Sequence, residues 1–375
     1  MVSISLCMIV KNEEDVLSRC LESVSGLVDE IIIVDTGSTD RTQEIAACFT
    51  DKIFAFPWQD DFAAARNEAF SHASMDYCMW LDADDLLLEA DRTAFLALKE
   101  TLDPSVSVVM APYHTGFDQS GRVTFSYYRE RLIKNRAGMR WAGAVHEAIS
   151  PVGKVFYADF AVTHRKTRPS DPDRNLRIYQ AQLAAGKALE PRQQFYYGRE
   201  LYYHQEWNEA LDVFERFLAG GKGWVENCID ACCHCAYCRE QLGQSEEALT
   251  ALFRSFAYDR PRAEVCCEIG RWFFQRERYR QAAYWYALAL ICPRDDRRGG
   301  FVSLDCYGYL PCIQLCVCYS RLGDQERAET FNELAASCKP DSPAVLQNRA
   351  YFEAQTKQTC AAQQEPEEHS PEKQK

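Results

Sequence analysis

The stretch YCMWLDADD, residues 77–85, joins a run of aromatic and aliphatic side chains to three carboxylates, Asp82, Asp84 and Asp85. The unbroken apolar run predicts a buried strand. The acids that follow crowd like charges at the end of that strand, in a chain whose formal net charge is already −13. Such crowding is unfavourable unless positive charge lies nearby.

A divalent cation would relieve the repulsion between Asp82 and Asp84, which are two positions apart at the strand end. Mg²⁺ and Mn²⁺ prefer hard oxygen ligands and often keep part of their coordination shell for substrate phosphates. The pattern Asp-x-Asp alone is weak, however. The alternative is that the acids only cap the helix predicted for LLLEADRTAFLALK.

Strands and helices alternate through the chain before this acidic stretch. Apolar runs predict strands at SISLCMIV (3–10), EIIIVD (30–35) and KIFAFPW (52–58), the last one at a sheet edge. Polar-capped amphipathic segments between them predict helices. The alternation indicates a largely parallel sheet with helices on both faces, and ligands bind at the carboxyl ends of strands in such sheets.

The pattern changes after the acidic stretch. Shorter strand-like runs at 106–113, 122–134 and 154–164 predict an antiparallel extension of the sheet. Two prolines and many charges in RKTRPSDPDR, residues 165–174, then indicate a domain edge.

The chain beyond this edge reads as repeated helix pairs with a period near 34 residues, which is typical of tetratricopeptide repeats. Matching alanines open the second helix of each pair, and prolines end the last three units. The alanines are Ala210, Ala248, Ala282 and Ala328; the prolines are Pro261, Pro293 and Pro340. The last spacing is longer, which predicts an insertion at RDDRRGGF, residues 294–301.

The sequence therefore predicts an α/β domain followed by an all-α repeat domain. The expected divisions are a first domain at 1–170, a linker at 171–190, helical repeats at 191–352 and a disordered tail at 353–375. The tail is rich in Gln, Glu, Lys and Pro, a composition that cannot bury enough apolar surface to fold.

Composition narrows the class of protein. The acidic balance argues against a nucleic-acid-binding surface. No apolar stretch approaches the roughly 20 residues that span a bilayer, and the N-terminus lacks the basic leader of a signal peptide. Eighteen cysteines without a secretion signal favour a reducing cytoplasm.

Four stretches carry a resemblance to a known family: SLCMIVKNEEDVLSRCLESV, EIIIVDTGSTDRT, FAAARNEAF and YCMWLDADD. In their order and spacing, residues 1–170 resemble the family-2 glycosyltransferases with the A-type nucleotide-sugar fold. Together with the repeats, the chain looks like a bacterial glycosyltransferase fused to tetratricopeptide repeats.

The resemblance implies a donor site. Asp35 would bind the base or ribose of a nucleotide, Glu13 would lie on the same side, and Arg66 would face the diphosphate. Asp82 would lie near the ribose and the metal, and Asp84 would be a direct metal ligand. Plainer interpretations remain: Asp35 ends a strand, Glu13 caps a helix and Arg66 is a surface arginine.

The resemblance also implies a catalytic base and a third metal ligand. In MRWAGAVHEAIS, residues 139–150, Glu147 is the expected general base, and its alternative is a simple ion pair with an arginine. His164, at the end of the last predicted strand, would complete a Mn²⁺ or Mg²⁺ site, with His146 as the competing histidine.

The implied reaction is metal-dependent, inverting transfer of a sugar from a nucleotide sugar, by family a UDP-sugar, to a protein, peptide or glycan acceptor held by the repeats. Two alternatives stay open: a repeat scaffold with an inactive transferase domain, and a phosphotransferase of the haloacid-dehalogenase type. A zinc site in CIDACCHCAYC, residues 228–238, is disfavoured because a second cysteine pair is missing at the usual distance.

Overall fold

The structure is a computed structural model that describes residues 1–169 and 171–362. Ten strands of the described residues form one sheet: β1 (Ile4–Val10), β2 (Glu30–Asp35), β3 (Ile53–Ala55), β4 (Tyr77–Trp80), β5 (Asp85–Leu86), β6 (Val106–Phe117), β7 (Val123–Lys134), β8 (Lys154–Tyr157), β9 (Val162–His164) and β10 (Val302–Ser303).

Fourteen α-helices lie in the same described ranges. They are α1 (Leu17–Ser23), α2 (Thr42–Ala47), α3 (Phe62–Ser71), α4 (Glu89–Thr101), α5 (Arg174–Ala184), α6 (Pro191–Tyr203), α7 (Trp207–Ala219), α8 (Val225–Gln241), α9 (Ser245–Arg254), α10 (Ala263–Gln275), α11 (Tyr279–Ile291), α12 (Tyr309–Arg321), α13 (Gln325–Cys338) and α14 (Pro343–Ala362). Short 3₁₀ turns occupy Ser255–Ala257, Asp296–Arg298 and Leu304–Tyr307.

The described chain divides into two compact units. The first comprises residues 1–259 and 295–303, and it holds the whole sheet with α1 to α9. The second comprises residues 260–294 and the described residues from 304 onward, and it holds α10 to α14. The predicted fold class, an α/β domain followed by helical repeats, is confirmed.

The sheet runs in the order β3-β2-β1-β4-β7-β6-β9-β5. The first four strands are parallel, with β3 at the predicted edge. β7 then pairs antiparallel with both β4 and β6. The expected antiparallel extension is wrong for β8 and β9, which pair parallel to β6. β7 reverses the chain after β6, so the strands that follow it can run in the same direction as β6.

The parallel strands are buried on both faces. Along β1, Leu6 and Met8 pack into a large cluster with Leu21 of α1. The intervening Cys7 points to the opposite face, into a smaller cluster with Val34. Because helices cover both faces, the strands read as continuous apolar runs rather than as an alternation.

Helix pairs follow the sheet domain in both units. The alanines that the repeat pattern singled out are all fully buried: Ala210, Ala248, Ala282 and Ala328. The close packing of the pair α6/α7 requires a glycine, because a Cβ on Gly198 would lie 2.7 Å from the ring of Phe214. The tetratricopeptide-like character of the helical part is thus confirmed.

Two features differ from the simple repeat pattern. From the predicted insertion, Val302 and Ser303 add strand β10 to β7, and Phe301 stacks on Phe125 at 5.8 Å within the first unit. Helix α14 extends to Ala362 and so enters the segment for which composition predicts disorder. The rest of that segment, 363–375, lies outside the described residues.

None of the described helices is both long enough and apolar enough to span a bilayer.

A buried carboxylate ties the start of β2 to its neighbours. Glu30 accepts hydrogen bonds from the Ser74 amide at 2.9 Å and the Ser74 hydroxyl at 2.8 Å. It also binds the Ser5 hydroxyl and the Lys52 ammonium. Burial opposes its ionisation, but these bonds outweigh burial and lower the pKa of Glu30 to about 2.

We predict that Glu30→Ala lowers the free energy of unfolding by roughly 2–4 kcal/mol, since hydrogen bonds to a charged group contribute about 1.5–3 kcal/mol each and buried partners lose theirs. Urea denaturation at pH 7 measures this, with the exposed Glu100→Ala as control. Because the pKa is depressed in the folded state, the stabilisation is present above the ordinary carboxyl pKa and is lost as pH falls towards 2. A difference that grew at low pH would contradict this assignment.

Candidate active site

A cavity of about 560 Å³ opens at the carboxyl ends of the parallel strands. This is the edge where the sequence placed its polar side chains. The polar and charged residues that line the cavity include Asn12, Glu13, Arg66, Asp82, Asp84, Arg129, His146, Glu147, His164 and Arg168. Six of the seven predicted site residues therefore meet in one place.

Arg66 of α3 joins two of the predicted acids. Its Nε donates to Glu147 Oε1 at 2.6 Å, and its Nη2 donates to Asp82 Oδ1 at 2.7 Å. The guanidinium is buried and lies over the rings of Trp80, at 4.6 Å, and Trp141, at 5.2 Å. The alternative of a surface arginine is therefore wrong. Its Nη1 has no hydrogen-bond partner among the described residues.

The acidic stretch does not cap a helix. After Asp84 the chain forms β5, which pairs antiparallel with β9 so that Asp85 lies opposite His164. Helix α4 begins later, at Glu89, and no side chain caps it. The short strand brings the acids against His164, which capping would not do.

Asp84, Asp85 and His164 form a group whose ligand atoms all lie within 4.8 Å of one another. His164 Nδ1 is 3.3 Å from Asp84 Oδ1 and 3.2 Å from Asp85 Oδ1. Two carboxylates and an imidazole can bind a divalent metal such as Mn²⁺. His146 is not part of this group.

Asp85 differs from its neighbours because it is fully buried. Its Oδ1 accepts from the Tyr113 hydroxyl at 2.8 Å, and its Oδ2 accepts from the Asp82 amide at 3.1 Å. Arg131, also fully buried, lies 3.4 Å from Oδ2 and offsets the charge. Tyr113 also contacts His164 Nδ1 at 3.0 Å, so Asp85 and Tyr113 together orient the imidazole.

The pKa values reflect the excess negative charge. Burial disfavours the cationic form of His164, but hydrogen bonds to Asp84 and Asp85 outweigh it and raise the pKa of His164 to about 10. Burial and the Asp84 carboxylate raise the pKa of Glu13 to about 7. Burial also opposes ionisation of Asp82, yet Arg66 outweighs it and lowers the pKa of Asp82.

Glu13 faces the cavity and does not cap α1. That helix begins at Leu17 with Val16 as its N-cap, while the Glu13 carboxylate lies 3.8 Å from Arg168 Nη2. Arg168 also donates to the Asn12 carbonyl at 2.6 Å. The segment after β9 thereby reaches the segment after β1.

Asp35 is the predicted site residue that does not line the cavity. It is buried at the end of β2, and its Oδ2 accepts from Gln43 Nε2 at 2.6 Å. Its carboxylate also holds the Ser38 amide. These bonds hold Asp35 behind the cavity lining.

Glu147 lies in a tight loop closed by paired hydrogen bonds between Ala142 and Ala148. Its carboxylate binds Arg66, and its carbonyl accepts from Arg129 Nη2 at 3.2 Å. The neighbouring His146 has a left-handed φ of 51° and lies 2.7 Å from Glu200 of α6.

Sequence reasoning missed Tyr113, Arg131 and the orienting role of Asp85. An arginine inside the predicted strand RVTFSYYRERLIK was the available signal for Arg131, because a buried strand carries such a charge only beside a partner. Tyr113 gave no comparable signal. The cysteines at 228, 232, 235 and 238 are buried along α8.

Comparison of the sequence with known proteins agrees with this geometry. Residues 5–154 match the family described as glycosyl transferase family 2. A TPR repeat-containing protein of Synechococcus elongatus is 41% identical over 150 residues, covering 40% of this chain and 36% of that protein. The SPbeta prophage-derived glycosyltransferase SunS of Bacillus subtilis is 27% identical over 232 residues, covering 58% and 53%.

The lipopolysaccharide core biosynthesis glycosyltransferase LpsC of Rhizobium meliloti is 31% identical over 160 residues, covering 40% of this chain and 58% of that protein. The chain thus spans between about a third and three fifths of the length of these curated relatives. Matched family, fold and acidic cavity all fall in the same part of the chain. Residues 5–154 therefore match the glycosyl transferase family 2 in sequence, and tetratricopeptide-like helix pairs follow them in this chain.

Proposed function

We propose that the chain is a metal-dependent glycosyltransferase that moves a sugar, with inversion, from a nucleotide sugar to a protein, peptide or glycan acceptor. The observation that carries this is the cavity in which Arg66 links Asp82 to Glu147 beside the acids and imidazole of the Asp84 group. Sugar transfer requires stabilisation of the negative charge on the departing nucleotide and a base that takes the proton of the acceptor. This cavity offers groups for both.

The carboxylate and imidazole groups of this site are suitable ligands for a divalent cation, Mn²⁺ or Mg²⁺. Both oxygens of the buried Asp85 already accept hydrogen bonds, whereas Asp82, Asp84 and His164 line the cavity. Asp84 and His164 would hold the ion, with Asp82 beside them and Asp85 orienting His164 from behind. A bound ion would supply charge neutralisation for the diphosphate leaving group.

Arg66 supplies a fixed positive charge at the same place. It is held by two carboxylates and two aromatic rings, so it stays ordered before any donor binds. A guanidinium that is already in place can stabilise the departing diphosphate with little reorganisation during the reaction.

Glu147 is the proposed general base, which takes the proton from the acceptor as its nucleophile attacks the anomeric carbon. Its ion pair with Arg66 orients the carboxylate. A diphosphate that shares Arg66 would compete with Glu147 for the guanidinium, which would couple donor binding to the freeing of the Glu147 carboxylate for the acceptor. Glu13 and Asp35 are proposed for the nucleotide side; Glu13 lines the cavity, whereas Asp35 does not.

The acceptor is proposed to approach from the helical side. Arg174 and Asn175, at the start of α5, line the cavity although they follow the matched family region. A UDP-sugar donor and a cytoplasmic location stay predictions, the latter resting on the many free cysteines. The proposed division into domains near residue 170 also stays a prediction.

Asp84→Ala is predicted to remove Mn²⁺ binding without unfolding the chain, because Asp84 lines the cavity and its removal leaves the buried Asp85 network intact. Differential scanning fluorimetry with and without Mn²⁺ measures the shift in melting temperature, and the exposed Asp51→Ala is the control. An unchanged Mn²⁺-induced shift in Asp84→Ala would exclude Asp84 as a ligand.

Glu147→Gln is predicted to keep donor binding and to lose transfer, because glutamine keeps the shape of the side chain and lacks its basicity. Loss of a positioned base typically costs about 10²–10⁴ in rate. A panel of nucleotide sugars with Mn²⁺ would give binding by calorimetry and turnover by release of the nucleotide. Transfer within about threefold of the wild-type rate would place the base elsewhere, and a wild-type chain that turns over no donor would favour the scaffold alternative.

A further inference from the structure

A buried carboxylate outside the family 2 domain contacts two residues of the cavity. Glu200 of α6 is 5% exposed, and its Oε1 lies 2.7 Å from His146 Nε2. The same oxygen accepts from Asn175 Nδ2 at 3.1 Å. His146 and Asn175 both line the cavity, so one acid of a repeat helix holds two parts of its wall.

Other side chains of α5 and α6 hold the same loop. The ring of Tyr196 stacks on His146 with centroids 4.2 Å apart and planes inclined by 14°. Arg192 Nε donates to the His146 carbonyl at 3.3 Å, and the Tyr179 hydroxyl donates to the Val145 carbonyl at 3.4 Å. Helices α5 and α6 thus contact the loop at two backbone carbonyls and at the side chain of His146.

The loop needs such support because its backbone is unusual. His146 has a left-handed φ of 51°, which is uncommon outside glycine and persists when the surroundings enforce it. The next residue is Glu147, whose carboxylate meets Arg66. A change in the backbone at His146 would therefore redirect Glu147.

The chemistry of the pair suits a fixed hydrogen bond. Burial lowers the pKa of His146. Burial of Glu200 opposes its ionisation, but the bond to His146 outweighs burial and lowers the pKa of Glu200. A neutral imidazole that donates its Nε2 hydrogen to a carboxylate anion accounts for the pair.

We infer that Glu200 is a positioning residue: by holding His146 and Asn175, it fixes the loop that aims Glu147 into the cavity. Helix α6 would then be part of the catalytic apparatus as well as part of a repeat. The inference rests on the proposed role of Glu147, but its structural half, the fixing of the loop, can be tested by itself.

The test compares Glu200→Ala with Glu200→Gln in the full chain, and the exposed Glu209→Ala is the matched control. Glutamine keeps an oxygen for both donors, so it should rescue what alanine loses. The first measurement is hydrogen exchange of residues 142–148. We expect exchange to be at least about tenfold faster in Glu200→Ala, and unchanged in the other two variants, because local opening governs exchange.

The second measurement is Mn²⁺-dependent release of UDP from UDP-glucose, with water as acceptor. We expect kcat to fall roughly 10- to 100-fold in Glu200→Ala with KM unchanged within about twofold, since misplacing a catalytic group by about 1 Å costs on the order of 100-fold. Glu200→Gln should return kcat to within about threefold of the wild type. A purely structural role would change both constants or neither.

Unchanged exchange in Glu200→Ala overturns the inference, as does loss of kcat that Glu200→Gln fails to rescue. If Glu200→Ala does not fold, His146→Asn breaks the same pair from its half-exposed side, tolerates the left-handed backbone, and is read in the same way. A wild-type chain that releases no UDP counts against the proposed function, while the exchange measurement still decides whether Glu200 fixes the loop.

Discussion

The ion pairs of Arg66 with Asp82 and Glu147 are the interaction on which the rest of the site depends. A buried guanidinium is tolerated only where carboxylates and ring faces replace water around it. Those partners come from separate parts of the chain: Asp82 follows β4, Glu147 lies in the loop before β8, and Trp80 and Trp141 cover the flat faces. Helix α3 and two distant segments must therefore meet for any of the charges to be buried.

A second buried arginine completes the charge balance. Arg131 lies beneath Asp85, between the rings of Trp80 at 3.9 Å and Tyr113 at 4.3 Å. The charge of Asp85 is thus offset by the buried Arg131, and the charge of Asp82 is partly offset by Arg66. Asp84 faces the cavity with His164 as its neighbour, which leaves charge on the side where a cation or a donor would arrive.

The first helices of the helical part, α5 to α9, belong to the same compact unit as the sheet. Glu200 and Tyr196 hold the loop of Glu147, and Arg199 lies 4.5 Å over Phe301, beside the added strand β10. Repeats usually present a surface for partners. Here Glu200 of the first of them also holds His146 and Asn175 of the cavity wall, so the sheet and repeat parts are not independent modules.

Much of the fold could be read from the sequence, because local patterns carry it. Apolar runs predicted β1, β2 and β4, small residues at fixed intervals predicted the helix pairs, and DADD marked the end of β4 as the site. The sequence could not show that Asp85 turns back into a strand against His164, that Arg66 pairs with Glu147, or that Glu200 reaches His146. Those contacts join residues that are 79, 81 and 54 positions apart. Local propensity determines which segments become strands and helices, but only the packing of the whole unit decides which buried charges meet.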